Sequence, residues 1–343
     1  MEPIDIVITW VDGEDPIHKA KRRKFLGNGR GETFAEVAAP TRFRSVGEIY
    51  FCIASILRFA PFVHHIYIVT DAQNPHADRF AARFFPESHI PITVVDHRTI
   101  FRDYEDLLPT FNSLSIETML WRIPGLSERF VYFNDDVLLV APVSPSDWYD
   151  EAGQPIIYGY WHCTWTARLV RWLRLPKHGH RTFTYKDSML NAADVLGGEA
   201  RKRFVRMIHA SLPLQRSFFE QFYGQHPELL VENARWRFRN PHQFNPQSLF
   251  ITYLALHNRC VLRPQGQTVI YLAPRPERIK KVAQSLRAAI VNRAAKICCI
   301  NSLDMGAPEQ QLGIVAWIGQ RLGIDFLALR AERLRKQQAE ERA

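Results

Sequence analysis

The chain opens on a largely apolar, β-branched run, Ile4 to Val11 (IDIVITWV), that empties into Asp12-Gly13-Glu14-Asp15-Pro16. Continuous rather than alternating hydrophobicity marks a strand buried on both faces, and the acidic Gly/Pro punctuation marks the turn that ends it. Three further runs repeat the theme. Ile66 to Thr70 is followed by Asp71, Ile92 to Val95 by Asp96, and Arg129 to Phe133 by Asn134-Asp135-Asp136 and the apolar Val137 to Val140. Between the first two runs, Ser45 to Phe59 places Ile49, Ile53, Ile56 and Leu57 on one helical face, which predicts an amphipathic helix. The charged, glycine-containing segment 20–40 predicts a surface loop after a short helix. Alternation of strand, carboxylate and helix predicts an α/β fold with a mostly parallel, Rossmann-like or GT-A-like sheet. Ligands bind such sheets beyond the carboxyl ends of the strands. There Asp12, Asp71, Asp96 and Asp135 would gather, more acids than turn chemistry alone needs.

The pattern changes near Pro145. Up to Pro264 the chain is rich in Trp, Arg and His and reads as mainly helical, which predicts an insertion or lid supplying basic groups. Val261 to Leu272 and Lys296 to Ile300 predict returning strands, and Leu312–Leu322 and Phe326–Arg335 closing helices. The expected organisation is therefore a nucleotide-sugar-binding α/β part over 1–144, a helical basic insertion over 145–264, a return to the core over 265–335 and a polar tail over 336–343.

Composition narrows the partners. Of 343 residues, 44 are basic and 35 acidic, a formal net charge of +9. The basic residues cluster at Lys19–Lys24 and Arg201–Arg206, and alternate at Arg235, Arg237 and Arg239. Basic groups interleaved with aromatics suit a phosphate-lined cleft, not a nucleic-acid tail. The odd number of cysteines, with none in zinc-ligand spacing, points to a reducing compartment, with Cys298 and Cys299 acting as small hydrophobes. An opening that runs directly into a strand, and the lack of any apolar stretch of ~18–20 residues, lead to the expectation of a cytoplasmic protein.

Candidate chemistry sits at four places. A carboxylate after a buried strand, Asp12, can hold a metal, orient a ribose, accept a proton or simply cap a turn. The adjacent Asp135 and Asp136 repel one another, so a site that keeps both brings a cation, and a divalent metal bridging diphosphate oxygens is the expected use. Neighbouring strand residues point to opposite faces, so one of the pair is expected to reach it. His209, with Arg216 and Arg239, could move a proton and grip phosphate oxygens. Cys299-Ile300-Asn301-Ser302 offers an amide at the end of an apolar run.

These blocks, in this order, resemble the four characteristic regions of the Stealth family. The first is IDIVITWVDGEDP. The second runs from RFRSVGE, starting at Arg42, through LPTFNSLSIE to RIPGLSERFVYFNDDVLL. The third spans about Tyr185 to Tyr253, and the fourth is Cys299-Ile300-Asn301. Two departures stand out. Ser45-Val46 replaces the usual Asp-Asn of the second block, and Ser302 replaces the first acid of CINDD.

The resemblance implies transfer of a hexose-1-phosphate, an N-acetylhexosamine-1-phosphate by expectation, from a UDP-sugar to a glycan or lipid-linked glycan hydroxyl, with UMP leaving. It implies catalytic roles for Asp12, His209 and Arg239, and substrate contacts from Arg44, Asn112, Asn134, Asn191, Arg216 and Asn301. Asp135 and Asp136 would hold Mg2+ or Mn2+. Either His209 or Asp12 would be the general base. An ordinary glycosyltransferase releasing UDP, or an inactive glycan-binding relative, are the rival readings. The stretch Trp161 to Phe183 could pack on the core or lie on an anionic membrane at its inner face.

Overall fold

The four apolar runs form the parallel part of a five-stranded sheet. Strands β1 (Ile4–Thr9), β2 (His65–Thr70), β3 (Ile92–Asp96) and β4 (Arg129–Asn134) lie in the order β3-β2-β1-β4, and an antiparallel β8 closes the edge. The molecule is a computed structural model in which residues 2–26, 46–174 and 183–332 are described. Arg44, Ser45, the polar tail and part of the Trp161–Phe183 stretch lie outside the described residues.

The helices of the first half are α1 (Pro16–Leu26), α2 (Glu48–Phe59), α3 (Ala77–Phe84), α4 (His97–Ile100) and α5 (Ser113–Met119). Then follow β5 (Val137–Leu139), β6 (Ile156–Cys163), α6 (Thr164–Leu173), α7 (Tyr185–Leu196), β7 (Arg203–Met207), β8 (Leu212–Gln215), α8 (Arg216–Gln225), α9 (Pro227–Ala234) and α10 (Pro246–Leu256). The chain continues through β9 (Val261–Arg263), β10 (Val269–Leu272), α11 (Ile279–Val291), β11 (Ile297–Ile300) and α12 (Pro308–Leu322).

Side chains alternate across β1. Ile4, Ile6 and Ile8 enter one apolar core with α2 and α12, whereas Val7 enters a second core with Phe130, Tyr132 and the helices of the 185–256 region. Burial on both faces is the physical reason the strand carries no polar alternation. Helix α2 exceeds its amphipathic expectation. Phe51, Cys52 and Ala54 are buried as well as the anticipated isoleucines, because β5 lies on one side and α12 on another.

The region 145–264 carries more strand than a helical insertion would. Its β6 pairs antiparallel with β7 and parallel with β9 in a separate three-stranded sheet, and its β8 completes the main sheet against β4. A third sheet, β10-β11-β5, is built from β10 and β11 pairing in parallel, with β5 antiparallel to β11.

Candidate active site

Three chain crossings meet at the carboxyl end of β4. There Asn134 gives way to Asp135-Asp136, the corner where the chain leaves the main sheet. It enters the small sheet as β5, whose Val137 lies opposite Cys299 of β11. The Ile300 amide donates to the Asp136 carbonyl at 2.8 Å, which fixes Cys299-Ile300-Asn301 against the acidic corner. On the other side β8 begins opposite Tyr132, so the turn between β7 and β8 sets His209 beside Asn134. Strand pairing alone thus brings together residues 163 positions apart.

These residues line one cavity of about 890 Å³, shared by Asn134, Asp135, Asp136, His209, Arg239 and Asn301. The Asn134 side-chain amide donates to His209 Nε2 at 2.8 Å, and Asp136 Oδ1 lies 3.4 Å from the same nitrogen. Upstream, the Tyr132 hydroxyl donates to Asn134 Oδ1 at 2.7 Å and lies 3.1 Å from Glu117 Oε1. A continuous polar chain, Glu117–Tyr132–Asn134–His209–Asp136, therefore runs along the cavity wall. With Asn134 donating, Nε2 keeps its lone pair and the imidazole carries its proton on Nδ1.

Burial raises the Glu117 carboxyl to about 7, an effect that Arg239 and the Tyr132 hydrogen bond only partly offset. Asp135 is also pushed well above the usual carboxylate range, first by burial and then by its neighbours Asp136 and Glu48. Three acids on one cavity wall favour a cation. Asp136 Oδ1 is buried and accepts no hydrogen bond. Asp136, His209 and Cys299 each bring one donor atom within 4.8 Å of the others. The carboxylates of this corner fit a divalent ion, which would neutralise diphosphate charge there, whereas the buried, protonated Cys299 thiol adds nothing to a hard cation. Cys299, expected to be a mere hydrophobe, is buried yet turns its Sγ to 3.7 Å from Asp136 Oδ2.

The conserved region 1 of Stealth proteins matches residues 2–30 and conserved region 2 matches residues 42–157. The chain is 30% identical to exopolysaccharide phosphotransferase cps2G of Lactiplantibacillus plantarum over 72% of this chain and 79% of that protein. It belongs to the Stealth family. It is also 31% identical to capsular polysaccharide phosphotransferase fcs1 of Haemophilus influenzae, over 77% of this chain and 68% of the relative. With exopolysaccharide phosphotransferase SCO6023 of Streptomyces coelicolor it shares 33% identity over 87% of its own length, but spans only 47% of that longer protein. In fold it is similar to the WbbM bifunctional glycosyltransferase, with a TM-score of 0.51 at 8% identity, over 92% of this chain and 50% of the other. The architecture is thus the GT-A-like one that the strand pattern predicted.

Several residues expected at the site, from the strand ends or from the Stealth resemblance, do not line the cavity. Asp12 Oδ1 accepts from the Glu14 amide at 2.9 Å, and the Asp12 backbone is bracketed by Gln73, so this acid shapes the turn after β1. Asp96 caps α4. Asp71 does reach the cavity, where Lys21 holds it at 2.5–2.7 Å. Arg216 pairs with Glu220 along α8, away from the site. Asn112 and Asn191 are clamps instead. Asn112 binds the Trp236 carbonyl and Gln243, and Asn191 binds the carbonyls of Pro241 and Gln243. Together with Gln243, which donates to Ser115 Oγ and the Asn233 carbonyl, they hold the loop after α9 that carries Arg239. Arg239 itself donates to Ser113 Oγ at 2.9 Å.

Glu117, Lys186, Arg206, His18 and His97 are cavity residues that sequence reasoning did not nominate. Burial holds His97 down at about 4 and also lowers His18, so both are neutral at physiological pH. The Arg201–Arg206 cluster signalled Arg206. Glu117 sat in the quoted LPTFNSLSIE block, but nothing in its spacing separated it from a solvent-facing acid.

Proposed function

We propose that the chain transfers a sugar-1-phosphate unit from a UDP-sugar to a glycan hydroxyl during capsule or exopolysaccharide synthesis, releasing UMP. One observation carries the reading: an acid pair, an imidazole whose Nε2 lone pair accepts a displaceable hydrogen bond from Asn134, and a guanidinium share a single cavity at the carboxyl end of the main sheet. Phosphoryl transfer draws its rate mostly from positioning and charge stabilisation, and this set supplies both.

In the proposed step the acceptor hydroxyl displaces the Asn134 amide at His209 Nε2 and gives up its proton there. The oxygen bonds to the phosphorus next to the sugar, the bond from that phosphorus to the UMP oxygen breaks, and UMP leaves with the electron pair. The Asp136 carboxylate lies 3.4 Å from Nε2, beside the charge that forms there. Arg239 offsets charge on the equatorial phosphoryl oxygens. A divalent ion on the acidic corner, Mg2+ or Mn2+, would supply charge neutralisation for the diphosphate when bound. Asp12, turned into its own loop, makes the weaker candidate for base.

A panel of UDP-sugars with a glycan acceptor, followed by phosphorus NMR, tests the reading. A phosphodiester and UMP are expected. Release of UDP with a phosphorus-free glycosidic product would instead establish a glycosyltransferase, the reading to which the fold likeness is equally open.

A further inference from the structure

We propose that the solvent-facing side of α6 docks on an anionic lipid bilayer. An ordinary surface helix turns its apolar stripe inward, and α6 does the reverse. Trp165 and Trp172 are 66% exposed, Val170 61% and Leu173 58%. Trp165, Leu169, Trp172 and Leu173 follow one another at intervals of four, three and one, which lines them along one arc of the helix. The basic residues between them face the body of the protein. Arg168 pairs with Asp194, Arg171 donates to Asn191 Oδ1 at 2.9 Å, and Arg174 donates to Asp187 Oδ2 at 2.6 Å, all three partners lying on α7. Ala167 packs on the core. These contacts hold the helix against rotation, so the apolar arc stays outward.

Charge identifies what would cover it. From Ala152 to Lys186 the chain has no Asp or Glu, so what it adds beyond the α7-bound Arg168, Arg171 and Arg174, namely Lys177, Arg181 and Lys186, is all positive. The N-terminus of α6 is joined to the basic run Arg201–Arg203 through the Thr164 amide, which donates to the Lys202 carbonyl at 2.9 Å. Arg203 lies 4.5 Å over the Trp161 ring and Arg206 5.8 Å over Tyr160, itself 47% exposed. A second copy of this chain would bring the same positive charge to the interface, a repulsive pairing. An anionic bilayer requires no shape match, accepts indole rings at the headgroup boundary and attracts the basic border. Lys186 and Met189 of α7 and Arg206 of β7 line the reaction cavity, and α6 packs on both elements. Docking would therefore bring the basic edge of that cavity towards the lipid surface. The inference is independent of the proposed chemistry, because its test needs no donor.

The test is co-sedimentation of the full chain with phosphatidylcholine vesicles, with and without phosphatidylglycerol. Binding to the anionic vesicles only, weakening as salt is raised, is expected. The double variant Trp165→Ser/Trp172→Ser should weaken that binding by about tenfold or more, with an unchanged circular dichroism spectrum and melting temperature. A charge-reversing pair, Arg201→Glu/Arg203→Glu, should weaken it through the border alone. Equal binding to both vesicles, no binding to either, or full binding by the tryptophan variant would overturn the proposal. So would a shift from dimer to monomer on removing the tryptophans, since the face would then belong to a second copy.

Discussion

At the scale of single residues, the site is organised around protons held in unusual places. Glu117 titrates near 7 in the folded protein against about 4.5 when solvated, so the folded state holds more protons between those values. Its contribution to stability is complete below about pH 4.5 and is lost as pH rises through 7. Glu117→Gln removes that loss. The melting temperature of the variant should therefore fall less between pH 5 and 8 than that of the parent, and a parallel decline in both would show that the carboxyl is not the group responsible. For His209, truncation to alanine should lower kcat by roughly two orders of magnitude or more and leave UDP-sugar affinity within a few-fold. Near-normal turnover would remove the imidazole from the chemistry.

At the scale of elements, β1, β2 and β4 were legible because burial on both faces leaves a largely apolar run, whereas the edge strand β3 keeps Thr93 and Val94 exposed. Ile4–Thr9 and Arg129–Asn134 sit within a residue or two of where hydrophobicity places them. The β6-β7-β9 sheet was not legible. Tyr160, Trp161, His162 and Arg206 lie half-open on it, so it shows neither continuous hydrophobicity nor clean alternation. The candidate site was partly legible for a related reason. Residue type identifies a carboxylate or an amide, but only packing separates Asn134, which faces the cavity, from Asn112 and Asn191, which face the backbone of a loop. That loop gives an element-scale prediction. Gln243 is fully buried and spends its amide on Ser115, Asn233 and Asn112. Gln243→Leu strands those partners at a cost of about 1–3 kcal/mol each where they stay unpaired. Stability should drop, and kcat should fall more than donor KM rises, because Arg239 loses its support without being removed. A change in KM alone would mean the loop positions substrate rather than the reacting phosphoryl group.

At the scale of the whole molecule, a chain of net charge +9 places the adjacent Asp135 and Asp136 in its reaction cavity. Such a local reversal of sign costs stability unless something positive completes it. Arg239 is engaged by Ser113 and Asp136 Oδ1 accepts no hydrogen bond, an arrangement that suits a cation at that corner. Mg2+ or Mn2+ should therefore raise the melting temperature, by an amount equivalent to about 2.7 kcal/mol at a hundredfold excess over the dissociation constant, and EDTA should reverse it. Asp136→Asn should abolish the shift, since its Oδ1 is the acceptor with no other hydrogen bond. The informative case is His209→Ala. Imidazole Nε2 cannot hold a metal ion and receive a proton with the same lone pair. If His209 is the base, its alanine variant keeps the metal-induced stabilisation while turnover collapses. If the stabilisation disappears as well, the imidazole is a metal ligand together with Asp136. The proton of the acceptor hydroxyl must then go to another cavity group, and Glu117, half-protonated at neutral pH and two hydrogen-bonded residues away, is the one placed to take it.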